Sequence, residues 1–288
     1  MESSALTAVA PVLFILPFSA LALLLVWLPL RLIIDIAFWW FALGYLVAGL
    51  ALFWRPLQLL ILPPLLGARP PNNTEEGIIR PLWTAIALAN NLPRDRYVLR
   101  VLPSEDLNAF ACGGHLVVVT SFAVHELSRR ELAGVLAHEL SHHLGLHTVA
   151  LTIGHWLSIP VVLLARVGVF LQNVATAANQ SFAQGSVVLR NLGTFVAALL
   201  HVVSWLFVVG LTTSDALANT VGRTSEYQAD RRAVRMGYGG ELASALRRVI
   251  SLGGGGRPVS WRARLETSHP PARTRVARIE AMMRHPSG

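Results

Sequence analysis

Two histidines and a glutamate at a fixed spacing form the most chemically informative segment of this sequence. His138, Glu139 and His142 belong to the pentapeptide His-Glu-Leu-Ser-His. Histidines four positions apart project from the same face of a helix, so both imidazoles could bind one metal ion, most often zinc. Glu139 would then lie beside the ion, where its carboxylate could take a proton from a water molecule. The pattern predicts a metal site that activates water, although a surface helix with incidental histidines is the simpler alternative.

The segment from Ser128 to His147 is predicted to form the helix that carries this pattern. Ser128 and Glu131 have the spacing of a capping box, which marks the start of a helix. An apolar stripe at helical spacing follows: Leu132, Val135, Leu136 and Leu140. His143 and His147 are also four residues apart, but Leu144 stands where a catalytic glutamate would be needed. We therefore interpret these two histidines as residues that flank the metal site.

A catalytic zinc site needs a third protein ligand, and the best candidates lie far downstream. Cys112 is the only cysteine, which excludes cysteine-based metal clusters and an intramolecular disulfide. Glu226 and Asp230 are four residues apart and share a helical face, so one could bind the metal while the other orients a ligand imidazole. The same carboxylates could instead form salt bridges with neighbouring arginines on a solvated face. The spacing leaves both interpretations open.

The segment from Leu107 to Thr120 is predicted to form a β-hairpin around Gly113 and Gly114, because its residues alternate as they do in strands. A strand edge beside a zinc helix could pair with the backbone of a peptide and hold it across the metal. This arrangement favours a polypeptide substrate.

Long uncharged runs indicate a protein that crosses a membrane several times. Hydrophobic residues make up 53% of the 288 residues and charged residues only 14%, an apolar excess that a soluble domain does not need. A helix of about 20 apolar residues spans a bilayer. Four runs are candidate spans: 5–30, 36–54, 148–165 and 191–214. The shorter run 57–66 is predicted to lie at the membrane interface, and the first run is interpreted as a retained span rather than a secretory signal because Glu2 replaces the expected positive start.

The positive charge of the chain is concentrated near its C-terminus. All 24 basic residues are arginine, and from Val221 onward there are 13 arginines against 5 acidic residues. No arginine occurs between residues 167 and 189, so the positive-inside rule assigns the arginine-rich segments to the cytoplasm. Such segments contact anionic lipid headgroups, and nucleic-acid binding is not expected. We predict a multi-pass plasma-membrane protein, with the lipid bilayer as partner and the metal site on the cytoplasmic side.

Four motifs in this order resemble the M48 family of membrane metallopeptidases, which includes HtpX-like proteases and CAAX prenyl proteases. The motifs are Asn108-Ala109-Phe110, the pentapeptide at His138, the segment Arg223 to Asp230, and Ser268-His269-Pro270-Pro271 with Arg273. The resemblance implies one zinc ion per chain, with His138, His142 and Glu226 as its ligands and Glu139 as the general base.

The resemblance also implies roles for residues around the metal. Asp230 would support a ligand histidine, and Asn108 and Ala109 would lie on the edge strand that binds the substrate. His269 would border the cleft as a catalytic donor, together with Arg223 and Arg273, where a donor could steady the oxyanion that forms when water adds to the peptide carbonyl.

The implied fold is mainly α, a multi-span membrane protein with a zincin-type (gluzincin) α+β catalytic domain interrupted by a transmembrane hairpin. The predicted segments are an N-terminal transmembrane hairpin (1–66), the first catalytic part with the histidine helix (67–147), a second hairpin (148–214), and the second catalytic part with the third ligand (215–288).

The predicted function is a membrane-integrated zinc-dependent endopeptidase. The small number of spans favours quality control of misfolded membrane proteins over CAAX-type processing, because the prenyl proteases have more spans. A zinc-bearing membrane sensor is the alternative from another class, and no stretch after the fourth run suits the extracellular ligand domain that such a sensor needs. The intact ligand set argues against a catalytically silent adaptor.

Overall fold

A computed structural model describes residues 3–145, 147–182, 186–252 and 270–285, and these residues are mainly helical, as predicted. In chain order the elements are α1 (Ser3–Arg31), α2 (Phe38–Ala51), α3 (Arg55–Leu66), α4 (Asn73–Ala89), β1 (Val98–Leu102), β2 (Ala109–Cys112), β3 (Leu116–Thr120), α5 (Ser121–Glu126), α6 (Arg129–Leu144), α7 (His147–Phe182), α8 (Val187–Arg235), α9 (Gly239–Ser251) and α10 (Ala272–Arg284).

Three helices in the described ranges are long and apolar enough to cross a membrane. The apolar stretches are Ala10–Arg31 in α1, Thr148–Ser181 in α7 and Val187–Ala216 in α8. A fourth span results only if α2 and α3 together are counted as one broken span. The sequence-based count of four is not confirmed, because α2 has only 14 residues where a straight span needs about 20.

The polar stretch between the third and fourth predicted runs is mostly helical, although the third span was predicted to end at residue 165. α7 continues to Phe182, well beyond the predicted end of its apolar run at residue 165. Thr176 Oγ1 donates to the carbonyl oxygen of Gln172 at 2.9 Å, so polar side chains are accommodated by the helix itself. The error arises because Gln and Ala are good helix formers whatever their polarity. α8 likewise continues to Arg235, and the predicted boundary between residues 214 and 215 lies inside this one helix.

The chain divides into two compact units. One contains Leu6–Gly49 and Leu151–Ala218, and the other contains Met1–Ala5, Leu50–Ala150 and Asn219–Gly288. The first unit has a buried apolar cluster of its own: Ile15, Ala22, Leu157, Val161, Ala165 and Phe207. Tyr45 and Trp156 of the same unit stack on each other, with ring centroids 4.8 Å apart.

The second unit contains a three-stranded sheet with the order β1-β3-β2. β1 pairs with β3 in parallel, and β2 pairs with β3 in antiparallel orientation, which confirms the predicted hairpin. Gly113 has a φ of +59° in the turn between β2 and β3, a conformation that glycine adopts without steric cost. β2 is therefore an edge strand, and its outer backbone groups face away from the sheet.

Helix α6 lies in the main core of the second unit. Its predicted capping box is confirmed: Ser128 Oγ accepts from the Glu131 amide, and Glu131 Oε2 accepts from the Ser128 amide at 2.9 Å. The core contains buried side chains from α4, the sheet, α5, α6, α9 and α10, among them Trp83, Val117, Leu132, Leu136, Leu140, Leu242 and Ile279. A Cβ at Gly134 would lie 2.4 Å from the backbone nitrogen of Leu242, so this glycine lets α6 and α9 approach closely. Packing on several sides fixes the helix that carries the two histidines.

Candidate metal centre

Helices α6 and α8 bring three possible metal ligands together. His138 Nε2 and His142 Nε2 are 3.2 Å apart, Glu226 Oε2 is 3.3 Å from His138 Nε2, and Glu226 Oε1 is 3.1 Å from His142 Nε2. Atoms that bind a tetrahedral zinc ion at about 2.0–2.1 Å lie about 3.3–3.4 Å from one another. One ligand atom from each of the three side chains lies within 4.8 Å of the others, so the three form a group that could hold one metal ion.

The buried charges also fit a divalent cation. Glu139, Glu226 and Asp230 are only 2%, 4% and 1% exposed, and Arg275, which is 4% exposed, lies among them. Buried charges are costly unless they are paired. Arg275 compensates one of the three carboxylates, and a divalent cation at the His138, His142 and Glu226 group would compensate the other two.

Asp230 holds His138 from the side opposite the proposed metal position. Its Oδ1 is 3.1 Å from His138 Nδ1, which leaves Nε2 directed at Glu226 and His142. Burial raises the pKa of Asp230, but hydrogen bonds and charges from His138 and Arg275 outweigh burial and hold that pKa at about 2. Asp230 is therefore an anion that can accept the Nδ1 proton of His138 and fix the orientation of its ring.

Without a metal ion, His138 is a strong base. Burial and the Arg275 charge lower the pKa of His138, but Asp230 and Glu226 outweigh them and raise it from 6.5 to about 9. Without a metal ion, a proton on His138 would therefore supply the positive charge that these carboxylates stabilise. The same negative field favours a bound metal ion.

Arg275 completes the support of this centre. Its Nη2 and Nε donate to the two carboxylate oxygens of Asp230 at 2.7 and 3.0 Å, and its Nη1 is 3.3 Å from Glu226 Oε2. One guanidinium therefore contacts both the third candidate ligand and the residue that orients His138.

Sequence reasoning selected Arg273 and missed Arg275. Arg273 is exposed on α10, whereas Arg275 shares the buried face of that helix with Val276 and Ile279. The spacing of Arg275 to Ile279 and Met282 follows the helical repeat of apolar positions, and this signal could have identified the inward-facing arginine. Arg223 is exposed on α8, and His269 lies outside the described residues.

Glu139 connects the metal group to the edge strand. Its Oε2 accepts a hydrogen bond from the Ala111 amide at 2.8 Å, so this amide points away from β3. Asn108 is oriented differently: its amide donates to Thr120 Oγ1 at 3.1 Å, and its carbonyl accepts from the Thr120 amide at 2.9 Å. Because neighbouring residues of a strand alternate in direction, Ala109 and Ala111 present backbone groups at the open edge. Asn108 uses its own backbone groups within the sheet.

His143 anchors the helix instead of joining the metal group. Its Nε2 donates to the carbonyl oxygen of Leu116 at 3.0 Å, and its ring stacks on Tyr97 with centroids 4.5 Å apart. Burial lowers the pKa of His143 to about 4, so the ring is neutral at physiological pH. Its contacts fasten α6 to β3 directly behind the candidate ligands.

Two further contacts fix α8 against α6. Arg232 Nη1 donates to the carbonyl oxygen of Ser141 at 2.9 Å, and Ser225 Oγ lies 3.4 Å from His142 Nδ1. These contacts, from residues on either side of Glu226, hold α8 against α6 so that Glu226 stays close to His138 and His142.

The chain is similar in sequence to several proteases. The protease HtpX of Shewanella baltica is 31% identical over 200 residues, which cover 63% of this chain and 66% of that protein, just under two thirds. The protease HtpX of Shewanella halifaxensis is 30% identical over 231 residues and covers 74% of this chain and 76% of its own length. The protease HtpX homolog 2 of Methanosarcina mazei is 28% identical and covers 64% of this chain and 58% of its own length.

The fold is also similar to that of a solved structure. The crystal structure of S. mikatae Ste24p matches with a TM-score of 0.55 at 19% sequence identity, over 90% of this chain and 62% of that one. The model of peptidase family M48 matches residues 74–283, which include the described metal group and Arg275. This match covers well over half of the sequence, and the chain belongs to peptidase family M48.

Proposed function

We propose that this protein is a membrane-integrated, zinc-dependent endopeptidase. The observation that carries the proposal is the joint placement of His138, His142 and Glu226, whose ligand atoms lie within 4.8 Å of one another. Glu139 lies beside this group on the same helix and contacts the edge strand. Membership of peptidase family M48 supports the same activity.

The proposed reaction is hydrolysis of a peptide bond. Zinc, one ion per chain, would act as a Lewis acid that activates water and polarises the scissile carbonyl. Glu139 takes the proton of the attacking water on its carboxylate and later passes it to the leaving amine. Asp230 and Arg275 keep His138 in the orientation that binds the metal.

The edge of β2 is the proposed binding site for the substrate backbone. Ala109 and Ala111 offer outward backbone groups with which an extended peptide can pair. The Ala111 amide, which bonds Glu139 at 2.8 Å, would turn to the substrate when a peptide occupies the edge. His269 remains the proposed donor at the cleft, on the basis of the family resemblance alone.

Both parts of the catalytic unit are proposed to lie on the cytoplasmic side of the plasma membrane. Two apolar stretches long enough to span, Thr148–Ser181 of α7 and Val187–Ala216 of α8, lie between His138 and Glu226 in the sequence. An even number of crossings returns the chain to the same side, whether or not α2 and α3 form an additional span. The arginine-rich residues that follow Val221 favour the cytoplasm as that side.

Misfolded membrane proteins are the proposed substrates. The sequence similarity to HtpX proteases supports this substrate class, and a catalytic unit attached to apolar helices would reach polypeptides at the membrane.

A direct test compares the purified full-length protein with Glu139→Gln. Zinc content and cleavage of casein are measured side by side in detergent. We expect about one zinc ion per chain in both proteins and cleavage only in the wild type, because the variant retains the ligands and loses the base. Equal cleavage by both proteins would refute the role of Glu139, and absence of zinc from the wild type would refute the proposed cofactor.

A further inference from the structure

Helix α3 has the reverse of the polarity expected for a helix on a water-facing domain. Its outward positions are all apolar: Pro56, Leu60, Ile61, Pro64 and Leu65. Leu60 and Leu65 are 71% and 54% exposed. Gln58 is the only uncharged polar residue of α3, and it is 3% exposed and points inward. A surface helix normally places its polar residues outward.

The inward position of Gln58 is explained by the turn between β2 and β3. Its Oε1 accepts from the Gly114 amide at 3.1 Å and is 2.9 Å from His115 Nδ1. A Cβ at Gly113 would lie 3.0 Å from the Gln58 amide group, so the side chain is seated directly against the turn. One oxygen thus binds two groups of a three-residue turn.

This turn immediately follows the proposed substrate-binding edge. Gly113 is two residues beyond Ala111, whose amide contacts Glu139. A strand of four residues, Ala109–Cys112, has few ladder hydrogen bonds with which to fix its own register. A support at its end therefore has a large effect on where the Ala111 amide lies.

Helix α3 is itself held firmly by the unit that contains the metal group. Leu59, Leu62 and Leu66 pack on a buried cluster of the sheet that includes Leu116 and Val118. The same cluster contacts Phe110 and Cys112 of the edge strand.

Both ends of α3 are also fastened. Arg55 donates to the carbonyl oxygen of Asp95 at the start of the helix. After its end, Arg69 and Val101 exchange two backbone hydrogen bonds of 2.8 Å. Because α3 is held at both ends, its Gln58 side chain can hold the turn in one position.

We propose that Gln58 is a positioning residue for the substrate-binding edge strand, which it holds in register with Glu139 by fixing the Gly113–His115 turn from α3. This inference rests on the proposed function, because it assigns β2 to the substrate. The apolar outward face of α3 suits a helix at the lipid interface, so the strand that receives the substrate is supported from an element at the membrane surface.

The test uses the full-length protein in lipid vesicles and three variants. Gln58→Leu removes the acceptor oxygen and keeps a similar volume. Gln58→Glu keeps an acceptor oxygen in either protonation state, and it sacrifices no hydrogen bond of Nε2, which has no partner in the described part of the chain. Leu60→Ala changes the outward face of the same helix and serves as the matched control.

Three kinds of measurement are made: amide hydrogen exchange, zinc content, and casein kinetics, which give kcat and KM. In Gln58→Leu we expect faster exchange at residues 109–115 and a KM raised about five- to tenfold, with kcat and zinc content unchanged, because the lost contact affects substrate binding. Gln58→Glu and Leu60→Ala are expected to resemble the wild type in all three.

The outcomes separate this inference from the proposed function. Unchanged exchange and KM in Gln58→Leu would overturn the role of Gln58. Faster exchange throughout the protein, or loss of zinc, would overturn it as well, since either would indicate a merely structural residue. If the wild type binds zinc but cleaves no casein, the proposed function fails, and exchange at residues 109–115 still decides whether Gln58 holds the turn.

Discussion

Arg275 binds Asp230 with two hydrogen bonds, at 2.7 Å from Nη2 to Oδ1 and 3.0 Å from Nε to Oδ2, and both side chains are almost completely buried. The paired geometry satisfies both carboxylate oxygens and holds the guanidinium in one plane. Since Asp230 also contacts His138 Nδ1, α10 is connected through this pair to the metal group. A residue 137 positions away in sequence thereby orients a candidate ligand.

Replacement of Arg275 by alanine should weaken metal binding and destabilise the fold. Asp230 would remain as a buried carboxylate without its cation, and His138 would lose its oriented partner. We expect zinc affinity to fall about 10- to 100-fold and the free energy of unfolding to fall by about 3–5 kcal/mol. Competition with a chelator measures the first quantity, and denaturant unfolding in detergent measures the second.

Arg273→Ala is the matched control for this prediction. Arg273 lies two residues away on the same helix and is exposed. Its replacement should leave zinc affinity unchanged and alter the free energy of unfolding by less than about 0.5 kcal/mol. Equal losses in the two variants would contradict a specific role for Arg275.

The candidate site was predictable to the extent that its residues share local patterns. His138, Glu139 and His142 occur within one turn of a helix, and Glu226 and Asp230 within another, so spacing alone was informative. Arg275 and Gln58 act through contacts distant in sequence. The helical repeat could have shown that Arg275 faces inward, but no local pattern reports which residues it contacts. The hydrophobic runs likewise predicted apolar helices. Their lengths were not predictable, because α7 and α8 continue into polar residues that are compatible with either a helix or its end.

The ion pair between Arg69 and Glu75 should make stability depend on acid pH. Arg69 Nη1 and Nη2 bind the two oxygens of Glu75 at 2.7 and 2.8 Å, and Glu75 is 1% exposed. Hydrogen bonding to Arg69 lowers the pKa of Glu75 below 4.5 despite burial. Because the folded-state pKa is lowered, this stabilisation is fully present above pH 4.5 and is lost as the pH falls through the lowered value.

Glu75→Gln should therefore lower the free energy of unfolding by about 1–3 kcal/mol at pH 7. This difference in free energy between the variant and the wild type should shrink below pH 4.5. Unfolding curves at several pH values provide the measurement. Glu76→Gln is the control, because Glu76 pairs with Arg80 on the surface of the same helix, where such a pair contributes about 0–1 kcal/mol. A constant difference between wild type and Glu75→Gln from pH 7 to pH 3 would disprove this linkage.

The close approach of α6 and α9 should not tolerate a side chain at Gly134. Alanine there would bring its Cβ to 2.4 Å from the backbone nitrogen of Leu242, and backbone cannot move aside as a flexible side chain can. We expect overpacking to lower the free energy of unfolding by about 1–3 kcal/mol.

Gly77→Ala on α4 is the control, since a Cβ there meets nothing within 4 Å. This substitution should stabilise the helix by up to about 1 kcal/mol. Thermal unfolding of both variants distinguishes the two effects, and a neutral Gly134→Ala would show that the helices separate more easily than this packing suggests.

Zinc should stabilise the wild type and Glu139→Gln but not Glu226→Ala. A ligand that binds only the folded state adds about 2.7 kcal/mol at a concentration 100 times its Kd, which corresponds to an increase in apparent Tm of roughly 5–10 °C for a chain of this size. Glu139 is not part of the ligand group, so its replacement should preserve this increase, whereas removal of the Glu226 carboxylate leaves only two histidines near the ion. Thermal unfolding after chelation and after addition of zinc measures the difference. An equal increase in Glu226→Ala would mean that zinc binds elsewhere, because the helix that supplies the third ligand would then contribute nothing to its affinity.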